Sequence, residues 1–245
     1  MIPKVIHHFW FGPAQKPELA QRCMASWRAT LPDYEIKEWT EANYDVHKSA
    51  FAREAHANGK WAFLTDFARL DVLHEYGGIY LDADVEVYKD FTPLLSNKTF
   101  LGFMFDCNLS TAVIGSEPGQ PVIGELLAGY DHLVGNLSLN NDLFTRFFIQ
   151  RFPQFKLNNQ QQRLDEVTIY PKEYFDFPVL WGADGGYSMH LYMGSWRRRN
   201  DMKERLKDQL KLSLGRRGFW AYRQLTHWRS VQQSEFRERY LMDRR

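Results

Sequence analysis

Two carboxylates one residue apart, Asp82 and Asp84, end the apolar run Ile79, Tyr80, Leu81. In extended backbone alternate side chains leave the same face, so the pair is expected to project together while Ala83 points away. Like charges at that spacing repel, and a divalent cation removes the conflict. Oxygen ligands of this kind suit Mg2+ or Mn2+, which keep several waters and bind through a carboxylate or two plus substrate phosphates. A nucleotide diphosphate would complete such a shell. A polar turn after a strand is the competing reading. A second charged pair lies upstream: Asp66 and Arg69, at i, i+3, share a helix face with Ala62 and Leu73 and point towards the core. Burying such charges is costly unless they pair or hold a ligand; an ion pair and a ligand-binding pair both satisfy that condition.

The elements that must position these residues follow from periodicity. Trp61–Tyr76 reads as a helix with Phe63, Phe67 and Leu70 on one stripe and Ala62, Leu73 and Tyr76 beside it. Gly77 ends the helix, and Gly78 allows a tight turn into the strand that carries Asp82. Upstream, Lys4–Phe11 reads as a buried strand closed by Gly12 and Pro13. His7 and His8 within it read as satisfied core histidines. Pro17–Leu31 reads as a helix and Tyr34–Trp39 as a second strand. This alternation predicts an α/β fold, a mainly parallel sheet flanked by helices, with ligands outside the carboxyl ends of its strands. Asp82 and Asp84 fall at that edge. Further strands are expected at Val85–Tyr88, Thr99–Phe105 and Thr111–Ile114, with short strands or turns at Val167–Tyr170 and Tyr174–Phe177 and helices at Gly119–Tyr130 and Asn140–Phe152.

The run Thr65, Asp66, Phe67, Ala68, Arg69, Leu70, then Leu73, then Tyr76 to Asp84 resembles the sugar-binding region of DXD-motif glycosyltransferases. That family includes capsular polysaccharide transferases, initiating Golgi mannosyltransferases and the large glucosylating toxins. Thr65 replaces the usual serine and keeps its hydroxyl. The segment Tyr187 to Trp196, with His190, Gly194, Ser195 and Trp196, resembles the family's closing His, Gly-Ser-Trp stretch. Over Pro3 to Trp196 the resemblance implies a GT-A, Rossmann-like fold and a retaining mechanism. It implies a catalytic set of Asp66, Arg69, Asp82 and Asp84, in which Asp66 and Arg69 hold the donor sugar while Asp82 and Asp84 hold the metal and the diphosphate. Tyr80 joins the donor side, and His190 completes the metal site. Ser195 would donate to a phosphate and Trp196 would cover the sugar; a buried aromatic corner is the alternative for Trp196. Phe9 and Trp10 would approach the nucleotide base, with core packing as the alternative. The family's Gly-Pro turn before the helix at Asn140 is missing, which leaves Asn141 and Asp142 as candidate sugar contacts on the acceptor side.

Overall charge is +1, but it is unevenly spread. Met1 to Trp196 carries 16 Lys+Arg against 24 Asp+Glu, a net −8, and Arg197 to Arg245 carries 15 against 6, a net +9. The expected organisation is a GT-A domain over residues 1–196 and a basic amphipathic helical segment over 197–245. Phe219, Trp220, Tyr222, Trp228, Phe236 and Tyr240 lie among the cations of that segment, a composition suited to an anionic membrane surface; a solvated or packing arm is the plain alternative, and no nucleic-acid partner is expected. Two cysteines, and an opening that runs straight into a strand, point to a cytoplasmic protein, peripheral at the inner face of the plasma membrane. The expected activity is sugar transfer from a nucleotide-sugar donor, UDP before GDP, to a glycan or lipid-linked acceptor in polysaccharide synthesis, with Mn2+ or Mg2+ as cofactor. A metal-dependent nucleotidyl or phosphoryl transferase and a non-catalytic, membrane-associated glycan-binding module are the alternatives.

Overall fold

The apolar opening forms strand β1, Val5–Phe9, buried at every position after the first. A strand buried on both faces needs a covered sheet around it. In the computed structural model, which describes residues 1–135, 140–177, 186–192, 213 and 215–244, β1 has a parallel neighbour on each side. These are β2 (Glu35–Trp39) and β3 (Gly78–Leu81), in registers Val5↔Glu35 and Ile6↔Ile79. Beyond β3 the order continues through Val113–Ser116 (β7), Thr99–Phe105 (β5), Val167–Tyr170 (β9) and Gln162–Leu164 (β8), while the short Asn108–Leu109 (β6) pairs with β5. β7 and β8 run against the rest of this order. The fold is α/β, with a mixed, mainly parallel sheet.

Alternation along β1 and β3 divides the core between the two faces. Ile6, Ile79 and Leu81 join Trp27, Phe91, Phe100 and Phe175 on one side. Phe9 and Tyr80 join Phe67, Leu70, Phe103 and Phe148 on the other. His7 is satisfied at both ring nitrogens: Nε2 lies 2.9 Å from Gly77 O, and Nδ1 accepts from Trp39 Nε1 at 3.1 Å. Burial lowers the pKa of His7 and of His8 to about 4.

Helices α1 (Glu18–Thr30), α2 (Ala50–Ala57), α3 (Trp61–Tyr76), α4 (Pro121–Ala128) and α5 (Asn140–Arg151) flank the sheet. α2, absent from the sequence expectation, is capped by Ser49, whose Oγ accepts from Ala52 N at 3.0 Å. α3 is not the one-striped helix expected: Leu64, Phe67, Ala68, Leu70, Val72 and Leu73 are all buried, because α2, α4 and the sheet surround it. Tyr76, expected beside the stripe, is exposed. The turn out of α3 requires two glycines. Gly77 has φ 66° and Gly78 φ 103°; a Cβ would lie 2.7 Å from Pro118 Cδ at the first and 2.8 Å from Val5 O at the second.

After β3 the chain leaves the main sheet. Val85–Val87 (β4) pairs antiparallel with Ser188–His190 (β10) as a separate two-stranded ribbon held against α1. Trp27 Nε1 donates to Val85 O at 2.7 Å, and Val87 N donates to Ser26 Oγ at 2.9 Å. Where strands or turns were expected at Tyr174–Phe177, Lys172–Phe175 forms the short helix α6, with Pro171 fixing its entry. Of the basic C-terminal segment, α7 (Gly215–Gln233), α8 (Arg237–Asp243) and the turn between them bury Phe219, Val231, Phe236 and Tyr240 against the core. Tyr222, Leu225 and Trp228 face outward from α7.

Candidate active site

β3 stops at Leu81, and the next residues do not continue it. Val85 N donates to Asp82 O at 3.0 Å, closing a tight turn over Asp82, Ala83 and Asp84. The expected extended geometry is therefore corrected: the turn, not the two-residue pleat, brings both carboxylates to one place. Asp82 N is held by Ala112 O at 2.9 Å. The Asp82 carboxylate accepts from the Tyr80 hydroxyl and lies 3.4 Å from Arg69 Nη1.

His190 reaches the same point from a sequence distance of more than a hundred residues. The ribbon places it opposite Val85, and Leu191 N donates to Asp84 O at 2.9 Å, so strand pairing alone sets its side chain beside the turn. His190 Nε2 lies 3.2 Å from Asp84 Oδ1 and 3.8 Å from Asp82 Oδ2. Nδ1 lies 3.2 Å from Oδ1 of the fully buried Asp176. Burial opposes a charge on this imidazole, but Asp84 and Asp176 outweigh it and hold the pKa up at about 10. Protonated, the ring offsets the carboxylates around it; neutral, with Nδ1–H on Asp176, it turns a lone pair on Nε2 towards Asp82 and Asp84.

One ligand atom from each of Asp82, Asp84 and His190 lies within 4.8 Å of the others. That spacing, two hard oxygens with one imidazole, and a carboxylate behind the imidazole all fit a divalent cation of the Mg2+ or Mn2+ class. Asp176 was not legible as a functional residue, since a lone aspartate between Phe175 and Phe177 carries no motif. Its distance from His190 along the chain hides the pairing.

Arg69, 5% exposed, ties the second half of the site to the first. Its Nη2 donates to Asp66 Oδ1 at 2.7 Å, Nη1 to Thr111 O at 2.7 Å, and Nε to Thr65 O at 3.3 Å. The guanidinium lies 4.4 Å from the centroid of the Tyr80 ring. Arg69 thus joins α3, β3 and the loop between β6 and β7 in one fixed fork. Tyr80 itself is buried behind Asp82. Asn141 Oδ1 accepts from Thr111 Oγ1 at 2.7 Å, and Asp142 Oδ1 accepts from Asn108 Nδ2 at 2.8 Å, so both clip α5 onto the β6 region.

The remaining sequence candidates lie apart or outside view. Phe9 packs among Phe11, Trp39, Tyr44 and Tyr80, which is the core-packing alternative for this residue. Trp10, half-buried just past β1, donates from Nε1 to Ala14 O at 2.6 Å. Ser195 and Trp196 lie outside the described residues.

The model of the glycosyltransferase sugar-binding region containing a DXD motif matches residues 17–101, which include α3, the glycine turn and both aspartates. That match bears out the resemblance to DXD-motif glycosyltransferases over this stretch of the chain. Inositol phosphoceramide mannosyltransferase 3 of Schizosaccharomyces pombe is 28% identical over 137 residues, 50% of this chain and 35% of that protein. The chain therefore spans about a third of the length of this relative. An uncharacterized glycosyltransferase, L373, of Acanthamoeba polyphaga mimivirus is 25% identical across 80% of the chain and 84% of its own length. In structure, the PaToxG glycosyltransferase superposes with a TM-score of 0.52 at 19% identity, covering 62% of this chain and 70% of that one. The sheet and its helices are those of the GT-A glycosyltransferases.

Proposed function

We propose that the protein is a metal-dependent glycosyltransferase that moves a sugar from a UDP-linked donor, with retention, to a glycan acceptor carried on lipid at an anionic membrane surface. The observation that carries this reading is the convergence of Asp82, Asp84 and His190 at the end of β3, beside the buried Arg69 and its partner Asp66. A divalent cation held by those three would neutralise the leaving diphosphate as a Lewis acid. Arg69 orients Asp66 and Asp82 through its fork, and Asp66, less buried than Arg69, is the member of the pair that faces the donor sugar. Tyr80 steadies Asp82 from below. Fixed dipoles and charges of this kind supply transition-state stabilisation without reorganising as charge develops. Nucleotidyl transfer is a poorer match, because the cluster among the described residues holds two carboxylates, and Asp176 faces the far nitrogen of His190.

The lipid-borne acceptor is supported by the name of the S. pombe relative, a mannosyltransferase acting on inositol phosphoceramide. The membrane surface is supported by the net +9 of residues 197–245 and by the outward Leu225 and Trp228 of α7. No described helix is long and apolar enough to cross a membrane, which is consistent with attachment by a surface. The test is sugar release and transfer measured across UDP- and GDP-linked sugars with Mn2+, Mg2+ or chelator, using anionic vesicles that carry a phosphoinositol sphingolipid. Metal-dependent turnover of one donor supports the reading. Turnover that survives complete chelation sinks the metal assignment.

A further inference from the structure

α7 turns Phe219, Arg223 and His227 inward at intervals of four residues, and the middle one is a buried cation, 4% exposed. The Arg223 guanidinium lies 4.0 Å from the centroid of the Tyr192 ring, and Nη2 donates to the Tyr192 hydroxyl at 3.0 Å. Phe105 and Phe177 flank it at 5.2 and 5.3 Å. The Tyr192 hydroxyl donates onward to Asp176 Oδ1 at 2.5 Å, the same oxygen that faces His190 Nδ1. The Tyr192 ring stacks on the His190 ring at 3.9 Å. Tyr192 also holds a left-handed backbone, φ 52°, which a non-glycine residue adopts only where surrounding contacts impose it.

We propose that Arg223 is a positioning residue for the metal site, acting through Tyr192 and Asp176 on His190. The inference depends on reading Asp82, Asp84 and His190 as metal ligands. With one oxygen of Asp176 receiving both the tyrosine hydroxyl and the imidazole, the carboxylate has one orientation that serves both. That orientation aims His190 Nε2 at Asp82 and Asp84. Arg223 sets it from the far side by fixing the hydroxyl and covering the ring. A wholly buried carboxylate also needs a cation nearby, and across the Tyr192 hydroxyl Arg223 supplies one that metal binding at His190 does not displace. The basic segment thereby contributes a side chain to the organisation of the site as well as a surface.

The test titrates Mn2+ by electron paramagnetic resonance, which counts the free ion, alone and with UDP or GDP. It compares wild type, Arg223→Met, Tyr192→Phe, the double variant and the exposed control Gln224→Ala. Each single variant is expected to weaken Mn2+ binding about tenfold, the effect typical of partners behind a metal ligand. The double variant should lose no more than the worse single, since both cut one chain of contacts. Gln224→Ala should bind as wild type. A role confined to packing would lower the unfolding temperature and leave the Mn2+ affinity of the folded protein unchanged, and that result overturns the proposal. Fully additive losses overturn it too. If Arg223→Met does not fold, Tyr192→Phe, which removes a single oxygen, decides alone: wild-type affinity rejects the proposal and a tenfold loss upholds it. Wild type that retains no Mn2+ under any of these conditions overturns the metal reading and this inference with it, whereas wild-type binding with indifferent variants overturns the inference only.

Discussion

Arg69 shows what a buried cation needs. Its guanidinium is almost wholly desolvated, yet Thr65 O, Thr111 O, Asp66 and Asp82 surround it, and burial is outweighed by Tyr80, Asp82 and Asp66 in holding its proton. A planar fork can meet acceptors in three directions; an ammonium on a flexible stem cannot. Arg69→Lys and Arg69→Ala are therefore expected to lose more than about tenfold in kcat/KM for donor turnover, with lysine giving no rescue. Wild-type kinetics in either folded variant would reduce the pair to scaffold. Asp84 sets a different balance. On sequence alone, Asp84→Asn should relieve repulsion from Asp82, but Asp84 Oδ1 lies 3.2 Å from His190 Nε2, so removing its charge also removes a favourable contact. The expected outcome is a metal-free protein weaker by about 1–2 kcal/mol whose unfolding temperature no longer rises with Mn2+ and UDP, while that of wild type does. Differential scanning calorimetry of both proteins, with and without the ligands, checks each half; an equal rise in the two would mean that Asp84 is not a ligand.

At the scale of elements, the ribbon and α7 decide what the strands leave open. β1, β2, α1, α3 and β3 were legible because each is long enough to show its period, and the glycine pair marks a turn that no other residue can make. β10 was not: three residues, Ser188–His190, show no period, and only their pairing with β4 places His190 beside Asp84. The inward stripe of α7 was hidden for another reason. Arg223 and His227 look like solvated charge in a basic segment, and the aromatic contacts that bury them come from elsewhere in the chain. The same segment shows why deleting the basic residues is a poor test of membrane binding, since Phe219, Val231, Phe236 and Tyr240 would leave the core with them. The outer face can be tested alone. Leu225 is 75% and Trp228 65% exposed, with Arg217 and Arg229 exposed on the same helix. Leu225→Ser with Trp228→Ser should weaken binding to phosphatidylserine vesicles at least about tenfold, given the apolar area withdrawn, without lowering the unfolding temperature. Equal sedimentation with vesicles would reject the surface.

For the whole molecule, the hidden charge asymmetry and the buried histidines act at different ranges. The acidic and basic parts of the chain, −8 and +9, predict membrane attachment that fades with salt, because screening shortens to ~8 Å at physiological ionic strength. The histidines predict how the fold responds to acid. His7 and His8 sit side by side in β1 beneath opposite layers, 2% and 3% exposed, and burial lowers each from 6.5 to about 4. The folded protein keeps both neutral in that interval while the unfolded chain takes up protons. Stability from this source is thus complete above pH 6.5, falls as the pH drops towards 4, and changes no further below it. Each histidine contributes a slope of up to about 1.4 kcal/mol per pH unit. Two other shifted groups fall outside the window: Asp106, lowered from 3.8 against its burial by His227 and Lys172, acts below pH 4, and His190, raised to about 10, acts above 6.5. His8 offers the cleaner probe, because its Nδ1 has no partner among the described residues and its ring meets Trp27 edge-on at 5.2 Å. His8→Phe should therefore fold and should remove about half of the acid slope between pH 6.5 and 4, as read from urea unfolding at each pH. An unchanged slope would show that His8 takes up its proton within the fold, and the sheet around β1 would then have to open at mild acidity.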